Sequence, residues 1–245
     1  MLILGYWLTV VTLRPLKDSQ YRERRFVADA AHDIRTPLTV MKTEIEVFTR
    51  SHKDIPKEIN ELLKSTIEEI DGLTTLANNL LFLSAERKRV DEPQKNFLIN
   101  QLLDDVSETL MLLAEKKGLQ YIRRSTLKNG VWILGDPNEI DRMITNIVQN
   151  AITYTDKGGS IFIDERTTKQ YLYITIRDTG IGISPDDLPQ VTKPFFRADI
   201  ARSAEEGSGL GLAIAEEVAL GHGGSLDIVS QLGWGTTITI ILPLP

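Results

Sequence analysis

Cysteine is absent from the 245 residues, and histidine occurs only three times. Without thiols there is no disulfide framework, no thiolate metal cage and no cysteine nucleophile. Three scattered histidines also lack the ligand spacing of a zinc centre. Positive charge is not in excess either. The 28 Lys and Arg against 34 Asp and Glu leave a formal charge of −6, so no basic footprint calls for nucleic acid and no such partner is expected. Internal repeats and low-complexity tracts are missing, and with 42% hydrophobic and 25% charged residues the composition is that of a globular protein.

Long apolar runs are lacking as well. The first thirteen residues, MLILGYWLTVVTL, carry no charge, but a bilayer span needs about 20 apolar residues. The run has neither the basic start nor the small-residue cleavage site of a signal peptide. Arg14, Lys17, Arg22, Arg24 and Arg25 follow it. One reading is an amphipathic or buried helix start. The expectation preferred here is the cytoplasmic half of a transmembrane helix, a partial membrane segment over 1–16 with its basic flank on the cytoplasmic side.

What is present begins with a heptad. Val27, Ile34, Met41 and Phe48, with Ala30, Leu38 and Ile45 beside them, predict the seam of a helical bundle. SHKDIP interrupts the pattern and Pro56 opens a second apolar-periodic run that includes Ile59, Leu63, Ile70, Ala77 and Leu80. Residues 17–88 therefore read as a helical hairpin. One hairpin buries its seam poorly, so the expectation is a homodimer forming a four-helix bundle. The charged stretch AERKRVDEPQKN reads as a linker. Beyond it, over 89–245, a helix from Leu98 to Lys116, VWILGDP, a helix from Glu139 to Ala151, the strands SIFIDE and YLYITIRD, a glycine-opened helix and a strand pair ending TTITIILPLP predict an α/β sandwich.

Four groups of residues carry chemistry. In FVADAAHDIRTPLTVM, His32 falls at a solvent-facing heptad position, with Thr36 one turn on along the same face. Asp33 beside it can accept from Nδ1–H and leave Nε2 as a nucleophile. Pro37 sits within the helix at a cost of ~3 kcal/mol, which suits a helix that must bend near the histidine. In ITNIVQNAITYT, Asn146 and Asn150 lie together on the flank of an apolar helix face, where amide oxygens suit a hard cation such as Mg²⁺; two surface asparagines would show the same spacing. In IRDTGIGIS, Asp178 ends a strand, and Gly180 and Gly182 permit close approach of a ligand. A carboxylate there can accept from the amine of a purine. A plain turn is the alternative, and the all-β setting an aspartic protease would need is missing. In GSGLGLAIA, Gly207, Gly209 and Gly211 lead into a helix whose first N–H groups suit phosphate. Neither a Walker lysine nor the Rossmann spacing is present. The two dozen residues between these glycine motifs read as a mobile lid, anchored by Phe195 and Phe196, with Arg197 available to phosphate.

In this order the motifs resemble those of a sensor histidine kinase. FVADAAHDIRTPL is similar to its H box, NIVQNA to its N box, DTGIGIS and GSGLGLAIA to its glycine boxes, PFFR to its F box and GWGTT to its third glycine motif. The resemblance runs from about Phe26 to the C-terminus. It implies that His32 takes the γ-phosphoryl group of ATP with Asp33 orienting and deprotonating it, and that Thr36 positions a water for dephosphorylation of a partner. It implies Asn150, supported by Asn146, as the Mg²⁺ residue, Asp178 as the reader of adenine and Tyr154 against the nucleotide. Gly180, Gly182, Gly207, Ser208, Gly209, Leu210, Gly211 and Leu212 would line the nucleotide site, together with Arg197. The implied partners are a second copy, the receiver domain of a separate response regulator, and the inner or plasma membrane, with the kinase domains cytoplasmic. Two departures stand out: Thr153 where the family often has lysine, and Thr192 where it usually has an aromatic. Against an ATP-driven clamp of the gyrase B or MutL kind stands the upstream HDIRTPL; against a degenerate scaffold stand the intact asparagines, aspartate and glycines.

Overall fold

The computed structural model describes residues 2–52, 55–84, 95–127, 130–198 and 207–245, with side chains from Arg25 onward except Phe26. The side chains of the N-terminal apolar run and of most of its basic flank, most of the charged linker, and lid residues 199–206 lie outside that description. The chain divides into two compact units, Met1–Arg87 and Lys88–Pro245.

The first unit is a pair of helices, α1 (Leu2–Ser51) and α2 (Lys57–Ser84). Pro56 opens α2, its carbonyl accepting from the Asn60 amide at 3.0 Å. Arg35 of α1 donates to the Asn78 side chain, and the Lys42 ammonium stands 2.5 Å from Asp71. A partner that moves back by seven as the first residue moves on by seven means that the helices run antiparallel. α1 continues unbroken through Pro37: the ring removes one N–H, and the turns on either side keep the segment helical.

Within the single hairpin the expected seam divides. Ala31 and Leu38 of α1 are buried with Ile70 and Ala77 of α2, whereas Ile34, Met41 and Phe48 remain 49%, 46% and 45% exposed. The heptad thus contains two adjacent stripes, and the one packed inside the hairpin is the Ala31–Leu38 stripe. Among the described residues no helix is long and apolar enough to cross a membrane.

The second unit layers α3 (Ile99–Lys117), α4 (Pro137–Tyr154) and α5 (Gly211–Gly221) on a sheet of β2 (Gln120–Ser125), β4 (Ser160–Thr167), β5 (Tyr171–Asp178), β6 (Ser225–Gln231) and β7 (Gly235–Pro243), in the order β2-β4-β5-β7-β6. Alternation builds the core. Ile161 and Ile163, Leu172, Ile174 and Ile176, and Ile238, Ile240 and Leu242 are all buried, so every second residue faces the helices. Glu165 interrupts this apolar row. It is buried but paired, 2.5 Å from Arg123, which also reaches Asp104 at 2.7 Å; an unpaired charge there would cost several kcal/mol, by the order of magnitude usual for buried ions.

Two short strands escaped the sequence reading. β1 (Lys95–Leu98) begins inside the stretch read as linker and pairs antiparallel with β3 (Trp132–Gly135). β2 lies parallel to β4, the one parallel pair in an otherwise antiparallel sheet, because the crossover through β3 and α4 separates the two. α4 also starts earlier than the expected Glu139. Asp136 caps it by accepting from the Asn138 amide at 2.9 Å, and Pro137 takes the first helical position, where its missing N–H costs nothing.

Candidate functional site

In the hairpin, His32, Asp33 and Thr36 are all exposed on α1. The ring of His32 is open to solvent, and no hydrogen bond joins it to Asp33. The neighbouring Arg35 is directed differently, across to Asn78 on α2. Helical geometry alone therefore presents the imidazole, with Thr36 one turn away on the same face.

In the second unit, α4 carries Asn146 and Asn150 half-buried toward the start of α5. A methyl group on Gly211 would stand 3.5 Å from Asn150 Nδ2 and 3.6 Å from Asn146 Oδ1, so the first turn of α5 and the asparagine pair face each other across a glycine. Asn146 Nδ2 is buried without a hydrogen-bond partner. Buried amides are seldom left so, and a polar ligand between α4 and α5 would satisfy this one. A methyl on Gly207 would approach the Tyr154 hydroxyl to 3.7 Å. Ser208 is exposed and Leu212 half-buried, while Leu210 is fully buried.

Asp178 ends β5 beside this ground. Its Oδ1 accepts from the Gly180 amide at 2.8 Å and the Thr236 amide at 3.1 Å. Burial nonetheless pushes the carboxyl above its ordinary value, against the pull of those amides. The glycine loop after it is clamped on both sides. Ile181 donates to the Tyr154 carbonyl at 3.1 Å and accepts from the Gly233 amide at 2.7 Å, and the Ile183 amide donates to Ser230 Oγ at 2.8 Å. Gly182 has φ +68°, and a methyl there would lie 2.0 Å from the Gln231 carbonyl oxygen; the close fit of loop to hairpin requires glycine. Trp234, at the tip of the β6–β7 turn that supplies these contacts, is 76% exposed.

Among its described residues the lid is irregular chain with one 3₁₀ turn, Leu188–Gln190. Phe195, expected to anchor the lid, is held by its backbone and not by its ring. That ring is 59% exposed; what holds the residue is its backbone, in the left-handed region at φ +65° with its amide donating to the Gly209 carbonyl at 3.0 Å. Phe196, Arg197 and Thr192 are half-buried.

Comparison with known proteins divides the chain at the same place. Residues 22–88 match the His Kinase A (phospho-acceptor) domain, and residues 135–245 match the histidine kinase-, DNA gyrase B-, and HSP90-like ATPase. The chain is 34% identical over 243 residues to the sensor histidine kinase RppB of Synechocystis sp., an alignment covering 98% of this chain and 53% of the relative. It is 32% identical over 232 residues to the sensor histidine kinase CusS of Escherichia coli, covering 93% and 47%. The chain belongs to the sensor histidine kinases. It spans about half the length of these curated relatives. The fold is shared with full-length ShkA, solved in complex with AMPPNP, at a TM-score of 0.75 and 23% identity over 90% of this chain and 46% of that one.

Histidine kinase membership removes the clamp reading, since the phospho-acceptor domain lies upstream of the ATPase domain. Within the ATPase domain the structure brings together Asn146, Asn150, Tyr154, Gly207 and Gly211 in one place and Asp178, Gly180 and Gly182 in the adjoining loop. The departure at Thr153 has a structural counterpart: Lys117, from the end of α3, donates to the carbonyls of Ile152 and Thr153 at 2.8 and 2.7 Å and ties down the last turn of α4. Sequence reading missed Ser230 and gave Thr236, within GWGTT, no role of its own. Thr236 binds Asp178 through its amide, which every residue but proline possesses, so side-chain chemistry gave no signal.

Proposed function

We propose that this chain is an ATP-dependent autokinase that phosphorylates His32 and passes the phosphoryl group to an aspartate in the receiver domain of a separate response regulator. The observation that carries this reading is the solvent-open imidazole of His32 in a phospho-acceptor hairpin. Nε2 attacks the γ-phosphorus, the bond to the ADP oxygen breaks, an N–P bond forms, and the Nδ1 proton leaves to Asp33 or to water. Such transfer asks for alignment and neutralised charge rather than covalent help from the protein.

The residues of the second unit suit that task. Asp178 accepts from the adenine amine, Tyr154 lies against the nucleotide, and the backbone of Gly209 and Gly211 with Arg197 addresses the phosphates. Among the described residues no cluster of three acidic, histidine or cysteine side chains could cage a metal. Mg²⁺ commonly takes few protein ligands plus phosphate oxygens, so Asn150, supported by Asn146, would hold it. The unpartnered Asn146 Nδ2 can only donate, so it suits a phosphate oxygen, and the cation would be held through amide oxygen. Bound there, Mg²⁺ supplies charge neutralisation at the phosphates. Thr36 orients a water for removal of phosphate from the regulator, two hairpins associate through the exposed Ile34, Met41 and Phe48 stripe, and the basic flank of the N-terminal run faces an anionic membrane surface.

One labelling experiment tests this. With Mg²⁺ and γ-labelled ATP, the full chain should gain acid-labile, base-stable label, and His32→Gln should gain none. Thr36→Ala should keep the label yet slow its loss from a cognate receiver domain. Acid-stable label, or label surviving in His32→Gln, removes the proposal.

A further inference from the structure

A hydroxyl beside Asp178 is not used by the chemistry above. Ser230, next to last in β6, is half-buried. Its Oγ is 2.8 Å from the Ile183 amide, 3.0 Å from the Gly235 carbonyl and 2.8 Å from the Thr236 hydroxyl. A serine hydroxyl has one proton to give and two lone pairs to fill. The carbonyl can only accept, so it takes the Ser230 proton. The Ile183 amide can only donate, so it fills one lone pair, and the Thr236 hydroxyl donates to the other. Every position on the oxygen is then used, in a single arrangement.

Its three partners frame Asp178. Thr236 gives its own amide to Asp178 Oδ1 at 3.1 Å. Ile183 closes the loop whose first amide, Gly180, is the other donor at 2.8 Å. Gly235 lies so near that a methyl on it would stand 2.2 Å from the Asp178 carbonyl oxygen. One side chain therefore links the strand-end turn and the glycine loop, each of which supplies one of the two amides that set the carboxylate. Both of those amides go to Oδ1, on one side of the carboxylate.

We infer that Ser230 is a positioning residue for base selection: by locking loop to turn it fixes the Asp178 carboxylate with Oδ1 saturated and Oδ2 left for an exocyclic amine. The inference rests on the nucleotide reading of this site. Adenine presents an amine at carbon six, a donor to Oδ2. Guanine presents a carbonyl there, which a fixed carboxylate repels, whereas a carboxylate free to turn can reach guanine's ring N–H and amine instead. A loosened loop should therefore cost adenine recognition while relaxing the bias against guanine.

The test measures ATP and GTP affinity of the full chain by titration calorimetry, with urea unfolding alongside. Ser230→Ala should weaken ATP binding by about fivefold to tenfold, the scale of one lost hydrogen bond, and should narrow the ATP-over-GTP ratio. Ser230→Thr, which keeps the hydroxyl, should restore both. If the alanine variant does not fold, Ser230→Cys serves in its place, since a thiol is a weak partner of nearly the same shape, and should show a smaller change in the same direction. Equal losses for ATP and GTP, unchanged ATP affinity, or a threonine variant as poor as alanine would overturn the role of Ser230. Absence of ATP binding by the unmodified chain would instead overturn the nucleotide reading beneath it.

Discussion

Asp178 sits between opposed influences, burial raising its pKa and backbone amides, those of Gly180, Thr236 and its own residue, lowering it, with burial the stronger. A carboxyl whose folded pKa lies above its unfolded one binds its proton more tightly when folded. Its contribution favours the fold below the ordinary carboxylate range and is lost as pH rises through the raised value. At neutrality the ionised group therefore opposes the ligand-free fold. Asp178→Asn keeps the oxygen that accepts the Gly180 and Thr236 amides and removes that opposition. Its unfolding midpoint in urea should exceed wild type near neutrality, and the gap should close in mild acid. ATP affinity should fall by about ten- to a hundredfold, the worth of a hydrogen bond to a charged acceptor. A variant that is both less stable at neutrality and unimpaired in binding contradicts this account. His32, Asn146, Asn150 and Asp178 could be named as candidates from the sequence because they fall in motifs that resemble a family's boxes. Ser230 could not, because a strand serine looks alike whether its hydroxyl meets water or three protein groups, and the left-handed backbone of Phe195 leaves no mark at all.

At the scale of elements, α4 was the most readable. Ile140, Met143, Ile144, Ile147, Val148 and Ala151 recur at helical spacing and are all buried. Its N-terminus is fixed twice. The Asp136 side chain caps it, and the Asp136 amide donates to His222 Nε2 at 3.1 Å, while His222 Nδ1 lies 2.9 Å from the Val218 carbonyl at the end of α5. Since an amide can only donate and a carbonyl only accept, the ring carries its proton on Nδ1, and it joins the two helices that bear the asparagines and the glycines. Asp136→Ala, which loses the cap while keeping the amide, should cost about 1 kcal/mol, read from urea midpoints, with the α4 start losing amide protection first. An unchanged midpoint would show that His222 alone holds this end. β1 and β2 were illegible for a related reason: KNFL and QYIRRS are short and largely polar, and the pairing that makes them strands comes from Trp132–Gly135 and Ser160–Glu165, distant in sequence.

At the largest scale, the Ile34, Met41 and Phe48 stripe of α1 stays about half exposed within the hairpin. Ile34, Met41 and Phe48 recur every seven residues, the spacing of a helix–helix seam. A single charge in the centre of that stripe should act on assembly and leave the ATPase domain alone. Met41→Glu should shift the full chain toward monomer in sedimentation, weakening association by roughly tenfold or more given the cost of burying an unpaired charge, with ATP affinity unchanged. Persisting dimers would place the interface elsewhere. The division into two units was readable from the change of period, 3.5 before the linker and alternation after it. Which of two neighbouring apolar stripes closes the hairpin was not, because both satisfy the same heptad and only the packing of Ala31 and Leu38 against Ile70 and Ala77 distinguishes them.

Trp234 stands almost bare to water on the same hairpin whose Thr236 amide steadies Asp178. An indole so hydrated emits at the red end of its range, and anything that covers or tilts the hairpin will move that emission. The molecule thus carries an optical gauge at the rim of the Asp178 loop, and a ligand settling there would be followed in the unlabelled chain.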